Sequence, residues 1–284
     1  MKLARLGPSG AEIPALVTDS TTYDLRAVTP DIDSAFLARG GLAEVRSAAE
    51  AGSLPELPDA AGLRVGSPIA RPGSVLCIGL NYVAHAAESG VEPPANPVLF
   101  LKTPNTVGGP DDEVVLPRDP NAKVDWEVEL GVVIGSAAAN LDSPEQSLAH
   151  VAGFVLTDDL SERYGQLEVS GGQWSKGKCL PGFCPTGPWL VTPDEVDHSD
   201  LRLRSWVNGE PRQDSTTKDM IFDVEFIVWH LSQFMRLEPG DLVITGTPQG
   251  VGLSGRFPYL KDGDVVEMEI EDLGRQRHQM VGSN

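Results

Sequence analysis

Two glutamates separated by a single residue open the segment with the clearest chemical potential, DWEVELGVVIG, where they are Glu127 and Glu129. The surrounding apolar residues predict a β-strand, and alternate residues of a strand face the same side. Burying two like charges together is costly unless something neutralises them. A hard divalent cation does so, and Asp158 or Asp159 from the later segment GFVLTDDLSER would complete an oxygen-ligand site for magnesium, manganese or calcium.

A second interpretation uses the same residues. Glu127 and Glu129 could form the solvated face of a half-buried strand, while Asp158 or Asp159 could end a turn or cap a helix. Spacing alone leaves both interpretations open, and the density of apolar residues around the glutamates favours the metal site.

The segment NYVAHAAESG places His85 three residues before Glu88. On a helix these two side chains lie on one face, and a carboxylate beside a histidine can orient the imidazole as a general base. A solvent-exposed His–Glu pair is the alternative. Because Gly79 and Gly90 flank the segment, it could become ordered when a substrate binds.

The segment GGQWSKGKC, residues 171–179, partly matches a phosphate-binding loop. However, Cys179 replaces the Ser or Thr that would serve magnesium, and the preceding segment is polar rather than a buried strand. The favoured interpretation is that a glycine-flexible segment delivers Lys178 to an anionic ligand; an exposed lysine is the alternative.

The segment GDLVITGTPQGVG, residues 240–252, predicts a strand that runs into a turn of small residues. Such a turn lets backbone N–H groups approach a ligand carboxylate, and Thr247 adds a hydroxyl, although an ordinary loop between strands is equally possible. Arg163 and Gln166 follow Asp159 closely enough to reach the same site.

The elements that must position these residues are mostly strands. Short apolar runs bounded by Gly and Pro follow Ser74 and predict a β-rich domain of α+β class, without the strand–helix alternation of a doubly wound sheet. Residues 1–70 predict a small N-terminal domain, and a stretch rich in Pro, Gly and Ser over residues 52–72 predicts a linker or a long loop before the catalytic domain, residues 71–284. The helix candidates are residues 31–51, Tyr82–Ser89, Pro144–His150 and Phe222–Met235.

Composition excludes some classes of function. The net charge of −19 over 284 residues disfavours nucleic acid as a partner. No apolar run is long enough for a membrane span, and the N-terminal residues lack the pattern of a secretory signal. The three cysteines, Cys77, Cys179 and Cys184, match neither a zinc motif nor a disulfide framework, which fits a cytoplasmic protein.

In this order, the segments resemble the fumarylacetoacetate hydrolase family over about residues 74–274. They are IGLNYVAHAAESG, PVLFLKTP, DWEVELGVVIG, DDLSERYGQ, GGQWSKGKC, FCPTGPWLVT, VNGEPRQDSTTKDMIF and PGDLVITGTPQGVG. The resemblance implies a mixed β-roll catalytic domain, usually a homodimer, behind a small N-terminal domain. The chain as a whole resembles the branch that acts on 2,4-diketo-3-deoxy sugar acids.

The resemblance also implies a role for each candidate residue. These roles are Mg²⁺ or Mn²⁺ binding by Glu127, Glu129 and Asp159; water activation by His85 and Glu88 on a lid; enolate stabilisation by Lys178; substrate binding by Arg163, Gln166 and Thr247; and a place near the metal pocket for Lys102. The chain departs from the family where Asp158 stands in place of Asn, Cys179 in place of Ser and Pro181 in place of Asp. Asp158 would add charge beside the metal.

The leading hypothesis is a metal-dependent hydrolase that cleaves the C–C bond of a 2,4-diketo acid, an acylpyruvate or a diketo-deoxy sugar acid, to give pyruvate and a carboxylic acid. A decarboxylase of oxaloacetate or an isomerase of an unsaturated keto acid could use the same metal. A non-catalytic protein with structural carboxylates is the alternative from another class.

Overall fold

The computed structural model describes residues 1–283, which form nineteen strands and five α-helices. The strands are β1 (Lys2–Leu6), β2 (Ile13–Val17), β3 (Thr22–Asp24), β4 (Val65–Gly66), β5 (Val75–Gly79), β6 (Val98–Lys102), β7 (Val107–Gly108), β8 (Val114–Val115), β9 (Val124–Asp125), β10 (Val128–Ile134), β11 (Val151–Asp158), β12 (Ser161–Glu162), β13 (Cys184–Pro185), β14 (Leu190–Val191), β15 (Arg202–Val207), β16 (Glu210–Thr216), β17 (Leu242–Ile244), β18 (Val265–Ile270) and β19 (Gly274–Val281). The helices are α1 (Ser34–Ala38), α2 (Gly41–Glu50), α3 (Val83–Glu88), α4 (Ser175–Lys178) and α5 (Val224–Ser232).

Two large sheets dominate the fold. Ten strands form the first, in the order β3-β2-β1-β14-β11-β10-β17-β5-β6, with β4 beside β1; the second has the order β16-β15-β18-β19-β8. The pairs β17–β5 and β19–β8 are parallel and the others in these sheets are antiparallel, so both sheets are mixed. The β-rich α+β class with a mixed roll, expected from the sequence, is confirmed.

The core lies between the two sheets. Leu130 of β10 and Leu156 of β11 share one buried cluster with Leu203 of β15 and Val266 of β18. All four side chains are fully buried, because each points from its own sheet toward the other. The strands that carry the acids are therefore held in two ways: by hydrogen bonds to neighbouring strands in the sheet, and by side chains that pack on its inner face.

Strand register brings the acids together. β10 begins at Val128 and β11 ends at Asp158, and these residues are opposite one another in the antiparallel pair. Just beyond the paired ends, the Asp159 N–H donates to the carbonyl of Glu127 at 3.0 Å. Segments far apart in the chain therefore meet at a single edge of the sheet.

Two further strands bring the rest of the site to that edge. β17 pairs with β10 on its other side, so Gly246 and Thr247 follow directly beside Glu129. β5 runs parallel to β17, and the chain leaves β5 at the same edge before it enters α3.

The N-terminal residues share the large sheet with the remainder of the chain. β1 pairs with β14, and Leu3 and Phe36 lie in one buried cluster with Val75 and Ile244. Within the stretch predicted as a linker, residues 65–66 form β4 and pair with β1. A domain boundary near residue 70 stays a prediction.

The helix candidates Tyr82–Ser89 and Phe222–Met235 are shorter than expected, as α3 and α5, and the first candidate is wrong as a single helix. Residues 31–51 form two helices, because Gly40 takes a left-handed conformation with φ of 79° between α1 and α2. The Asp33 carboxylate caps α1 by accepting from the Phe36 N–H at 2.8 Å, and Asp223 caps α5 in the same way. Residues Pro144–His150 form a 3₁₀ helix. Among residues 1–283, no helix combines the length and apolar character that a membrane crossing requires.

Candidate active site

A cavity of about 260 Å³ opens at the edge of the large sheet where the predicted residues meet. Eight of the ten predicted residues line it: His85, Glu88, Glu127, Glu129, Arg163, Gln166, Lys178 and Thr247. The other two, Lys102 and Asp159, are buried and form an ion pair with each other behind the lining. The structure thus brings together residues that are up to 162 positions apart, as in the contact of Glu88 with Gly250.

Glu127, Glu129 and Asp159 form an acidic cluster at the base of the cavity, here named the floor, in which Asp159 lies behind the two lining glutamates. One carboxylate oxygen from each lies within 4.8 Å of the others, and all three residues are buried. Glu127 is 5% exposed and Glu129 is 2% exposed, so the interpretation of a solvated strand face is wrong.

Three cations surround this floor. The Lys178 ammonium lies 2.7 Å from both Glu127 and Asp159, and Arg163 lies 2.6 Å from Glu127. Lys102 pairs with Asp159 and also donates to the carbonyl of Leu160 at 2.9 Å. Two of the three floor carboxylates therefore have cationic partners, and Lys178 is shared between them.

Glu129 has no such cationic contact among the described residues, and this difference separates the two glutamates. Its carboxylate accepts from the Gly246 N–H at 2.6 Å. Burial, together with the charges of Asp159 and Glu127, raises the pKa of Glu129 well above its ordinary value. For Glu127, burial acts in the same direction, but Lys178 and Arg163 outweigh it and hold the pKa well below its ordinary value.

The donor set fits a hard divalent cation. Carboxylate oxygens are ligands of magnesium, manganese and calcium. A cation bound to these acids would provide the positively charged partner that Glu129 lacks among the described residues. Three carboxylates fill only part of the about six positions that such ions take, which leaves positions for water or a ligand. A structural site closed by protein oxygens, as in the non-catalytic alternative, would need more ligands than these three.

His85 and Glu88 lie at one side of the cavity on α3. The Nδ1 atom of His85 lies 3.8 Å from the Glu88 carboxylate, too far for a hydrogen bond, and it is buried without a partner among the described residues. Glu88 instead accepts from the Gly250 N–H at 3.0 Å. Burial opposes ionisation of Glu88, but the imidazole of His85 and this N–H outweigh it, so the pKa of Glu88 is lowered.

Lys178 is buried, so the alternative of an exposed lysine is wrong. Although burial opposes its charge, Asp159 and Glu127 raise the pKa of Lys178 above its ordinary value. Gly177 fixes its position: a Cβ there would lie 2.2 Å from the carbonyl of Glu162 and 2.4 Å from the Gln166 nitrogen. Tyr164–Glu168, ahead of this segment, form a π-helix rather than the strand that a phosphate loop needs.

The glycine-rich turn after β17 differs from expectation. Its Gly246 and Gly250 N–H groups donate to the protein's own carboxylates, Glu129 and Glu88, rather than remaining free for a ligand. Thr247 lines the cavity, but its hydroxyl donates to the carbonyl of Val128 at 3.0 Å and accepts from Gln213 at 2.8 Å. The turn therefore positions the acids as well as the cavity wall.

Sequence reasoning missed two buried polar residues, Asp125 and His278, and expected a different role for a third, Asp158. Asp125 accepts from Arg163 at 2.8 Å and from the Gly252 N–H at 2.7 Å. Asp158 accepts from the Glu127 N–H at 2.9 Å and lies 2.9 Å from His278 Nε2. Burial raises the pKa of Asp158 despite His278. Asp125 was visible two residues before Glu127, but nothing in the sequence connects Asp158 with His278.

The remaining two departures from the family lie around Lys178. Cys179 is half-buried, and its Sγ lies 3.5 Å from the carbonyl of Leu101. Pro181 is exposed. Neither side chain lines the cavity.

Comparison with known proteins agrees with the geometry. Residues 74–281 match the model of the fumarylacetoacetate (FAA) hydrolase C-terminal family. A 2,4-didehydro-3-deoxy-L-rhamnonate hydrolase from Sphingomonas sp. (strain SKA58) is 46% identical over 99% of this chain and 96% of its own length.

Two solved structures extend the likeness to the whole chain. A fumarylacetoacetate hydrolase from Exiguobacterium antarcticum matches with a TM-score of 0.85 and 34% identity, covering 100% of both chains. A maleylpyruvate hydrolase from Sphingobium sp. SYK-6, in complex with manganese(II) ion and pyruvate, matches with a TM-score of 0.82 and 29% identity, again over 100% of both chains. The chain belongs to the fumarylacetoacetate hydrolase family.

Proposed function

We propose that this enzyme hydrolyses the C3–C4 bond of 2,4-diketo acids and releases pyruvate and a carboxylic acid. The observation that carries the proposal is the convergence of three buried carboxylates, an unpartnered histidine nitrogen and a buried lysine on one cavity. Two relatives support it by name: a hydrolase of a didehydro-deoxy sugar acid, and a maleylpyruvate hydrolase whose structure holds manganese and pyruvate.

Glu127, Glu129 and Asp159 would hold Mg²⁺ or Mn²⁺. Bound there, the cation supplies a Lewis acid that polarises the 2-oxo acid end of the substrate. Arg163 and Gln166 line the cavity beside these acids and would bind the substrate's oxygens, with Thr247 on the side of Glu129.

His85 would act as the general base. Once the 3.8 Å gap closes, its buried Nδ1 would donate to Glu88, whose lowered pKa keeps it ionised at neutral pH, and the other ring nitrogen, Nε2, would accept a proton from water. The hydroxide attacks the C4 carbonyl, and the tetrahedral adduct collapses with cleavage of the C3–C4 bond. The electron pair passes into the enolate of pyruvate, which receives its proton at C3 as the carboxylic acid leaves.

Lys178 would stabilise that enolate. Its ammonium is fully buried and its raised pKa keeps it charged, so it offers a fixed positive charge where negative charge develops. Lys102 lies farther back against Asp159 and would hold that carboxylate in place.

A panel assay tests the proposal. Acylpyruvates, diketo-deoxy sugar acids, oxaloacetate and an unsaturated keto acid are offered with Mg²⁺ or Mn²⁺, while pyruvate, carbon dioxide and isomerised product are measured. Pyruvate with an equimolar carboxylic acid from the diketo acids, lost in EDTA, is the expected result. Carbon dioxide from oxaloacetate with no hydrolysis would establish the decarboxylase instead, and isomerised product alone would establish the isomerase.

We also propose a homodimer. β6 is the last strand of the large sheet, and its Leu99 and Leu101 are exposed, an apolar edge that a second copy would cover. Light scattering should give a dimer for the natural chain and a monomer for Leu101→Lys, while Phe234→Lys, also at an exposed apolar residue, should remain a dimer. The cytoplasmic location stays a prediction from cysteine content.

A further inference from the structure

The cavity is charged at its base and apolar at its mouth. Its charged side chains are the buried ones, with Lys178 1% and Glu129 2% exposed, whereas its mouth carries Val91 at 45% and Leu167 at 44% exposed. Protein surfaces usually place charges outside and apolar side chains inside. An apolar rim above a charged floor indicates a ligand that is itself charged at one end and apolar at the other.

Besides Ile78 on β5, six apolar residues line the cavity, and these six are here named the apolar wall. They are Leu80, Val91, Phe100, Leu167, Trp174 and Leu253. They come from four separate stretches of chain: the turn into α3 and the residues that follow it, strand β6, the segment from the π-helix to α4, and the turn after Val251. The wall is therefore assembled by the tertiary fold rather than by one amphipathic element.

Specific contacts hold the wall. The Trp174 ring packs against the backbone of Gly79, where a Cβ would lie 2.5 Å from the indole, and it meets Phe100 edge-on at a centroid distance of 5.6 Å. Leu253 is fixed through its N–H, which donates to Asp125 at 2.9 Å.

Leu80 adds an independent observation. Its backbone has φ of 58°, in the left-handed region that bulky side chains rarely occupy. Such strain persists where the surrounding structure holds the residue in place, and it clusters at ligand sites. Here it directs the chain out of β5 at the point where Leu80 joins the wall.

The cavity has few free polar groups that could contact the tail of a ligand, meaning the part beyond its charged end. Gln166 and Thr247 are buried on the side of the floor and are engaged with Arg163 and Gln213. Glu88 is bound to the Gly250 N–H. Among lining residues outside the floor, Ser89 is the one whose hydroxyl has no hydrogen bond to another described residue.

The size of the cavity limits the tail. Its volume of about 260 Å³ lies just below the about 300–1,000 Å³ of typical small-molecule sites, which favours a diketo acid with a short tail.

We propose that the apolar wall is the subsite for the C4 substituent of the substrate. It selects 2,4-diketo acids whose tail is short and apolar, with at most one hydroxyl placed toward Ser89, over tails with several hydroxyls or a carboxylate. This inference rests on the proposed function. Hydroxyls buried against the wall lose their hydrogen bonds to water without replacement, and a carboxylate loses more.

Matched substrates test this selectivity. 2,4-Dioxoheptanoate, its 5-hydroxy and 5,6,7-trihydroxy analogues and a tail-carboxylated analogue are compared by kcat/KM for pyruvate release. We expect the trihydroxy acid to fall at least about tenfold below the apolar acid, the 5-hydroxy acid to stay close to it, and the carboxylated acid to fall furthest. A preference for the trihydroxy or the carboxylated acid would overturn the inference.

Variants connect the preference to the wall. Trp174→Ala should lower kcat/KM about tenfold or more for the apolar acid and leave the trihydroxy acid within about threefold, and Trp174→Phe should restore most of the preference. Phe234→Ala, an exposed aromatic outside the cavity, should change neither value. Equal losses for both acids in Trp174→Ala would show that the wall only excludes water, and would also overturn the inference.

A binding comparison separates this inference from the proposed function. Calorimetry with Mg²⁺ compares pyruvate, 2-oxoheptanoate and 5,6,7-trihydroxy-2-oxoheptanoate, none of which has the 4-oxo group that hydrolysis requires. Trp174→Ala should weaken the binding of 2-oxoheptanoate and leave the binding of pyruvate and of the trihydroxy acid unchanged. If no diketo acid releases pyruvate, the proposed function fails, and this comparison still decides whether the wall selects apolar tails.

Discussion

The floor and the mouth of the cavity are built in opposite ways. The floor consists of acids at the paired ends of β10 and β11, fixed by strand register and by the bond from the Asp159 N–H to Glu127. The mouth consists of α3 and loops, where His85 and Glu88 are 3.8 Å apart and Val91 is 45% exposed. A fixed floor suits chemistry that needs exact placement of charge, whereas an adjustable mouth suits closure over substrates and discrimination between them.

Breaking the floor should have the largest effect. Glu127→Gln should lower kcat/KM for a diketo acid at least about a thousandfold, because it removes a cation ligand and the partner of Lys178 and Arg163. Pyruvate release is the measurement, and thermal unfolding reports whether the variant remains folded. Glu267→Gln, at a glutamate on β18 away from the cavity, should retain full activity; activity retained by Glu127→Gln would contradict the account.

Changing the mouth at His85 should separate two reactions. His85→Ala should lower diketo acid hydrolysis by about 10²–10⁴, since the general base is lost, while oxaloacetate decarboxylation, which needs no attacking water, should persist. The control is His150→Ala, a half-buried histidine outside the cavity. Equal loss of both reactions would place His85 in binding or folding rather than in water activation.

Lys178 contacts two of the acids that would bind the cation and would also face the enolate. Removing its charge should therefore change catalysis and cation binding in opposite directions. Lys178→Met should lower kcat by about 10²–10³, because the charge that meets the enolate is lost. It should also strengthen Mn²⁺ binding, since the ammonium that now bridges Glu127 and Asp159 no longer competes for their oxygens. Kinetics and calorimetry measure the two effects. The neighbouring Lys176→Met, at an exposed lysine, is the matched control, and weaker Mn²⁺ binding in Lys178→Met would contradict the competition.

The floor could be predicted from the sequence because local rules determine much of it. Two-residue periodicity predicted that Glu127 and Glu129 lie together, and short apolar runs predicted the β-rich class. The family resemblance selected Asp159 over Asp158. Even so, the single helix over residues 31–51 was wrong, because the left-handed conformation of Gly40 was not recognised as a break.

The mouth and the support behind the floor depend on contacts between distant segments, which one sequence does not reveal. Trp174 meets Gly79, and His278 meets Asp158 120 residues away. The same limit explains why Asp158 was expected beside the metal. Its carboxylate instead accepts from the Glu127 N–H and lies against His278, outside the group of three acids.

The smallest effect should come from Asp158, which supports the floor through the backbone. Asp158→Asn keeps an oxygen that accepts from the Glu127 N–H, so it should change Mn²⁺ affinity less than about tenfold, the lower end of the effect of residues that support metal ligands. Asp158→Leu loses this oxygen and should weaken Mn²⁺ binding more than about tenfold. Calorimetry measures both variants. A large loss in Asp158→Asn would show that its charge, rather than its hydrogen bond, supports the site.

The central claim is that the three floor acids share one cation, and Mn²⁺ titration of the natural chain and of Glu129→Gln by calorimetry tests it most directly. The amide oxygen introduced by this substitution can still accept from the Gly246 N–H, and Glu129 has no ion pair within residues 1–283 to lose, so the variant should fold and unfold at the same or a higher temperature without cation. The account predicts one Mn²⁺ per natural chain and none for the variant. Equal binding by both, or no binding by the natural chain, would contradict it.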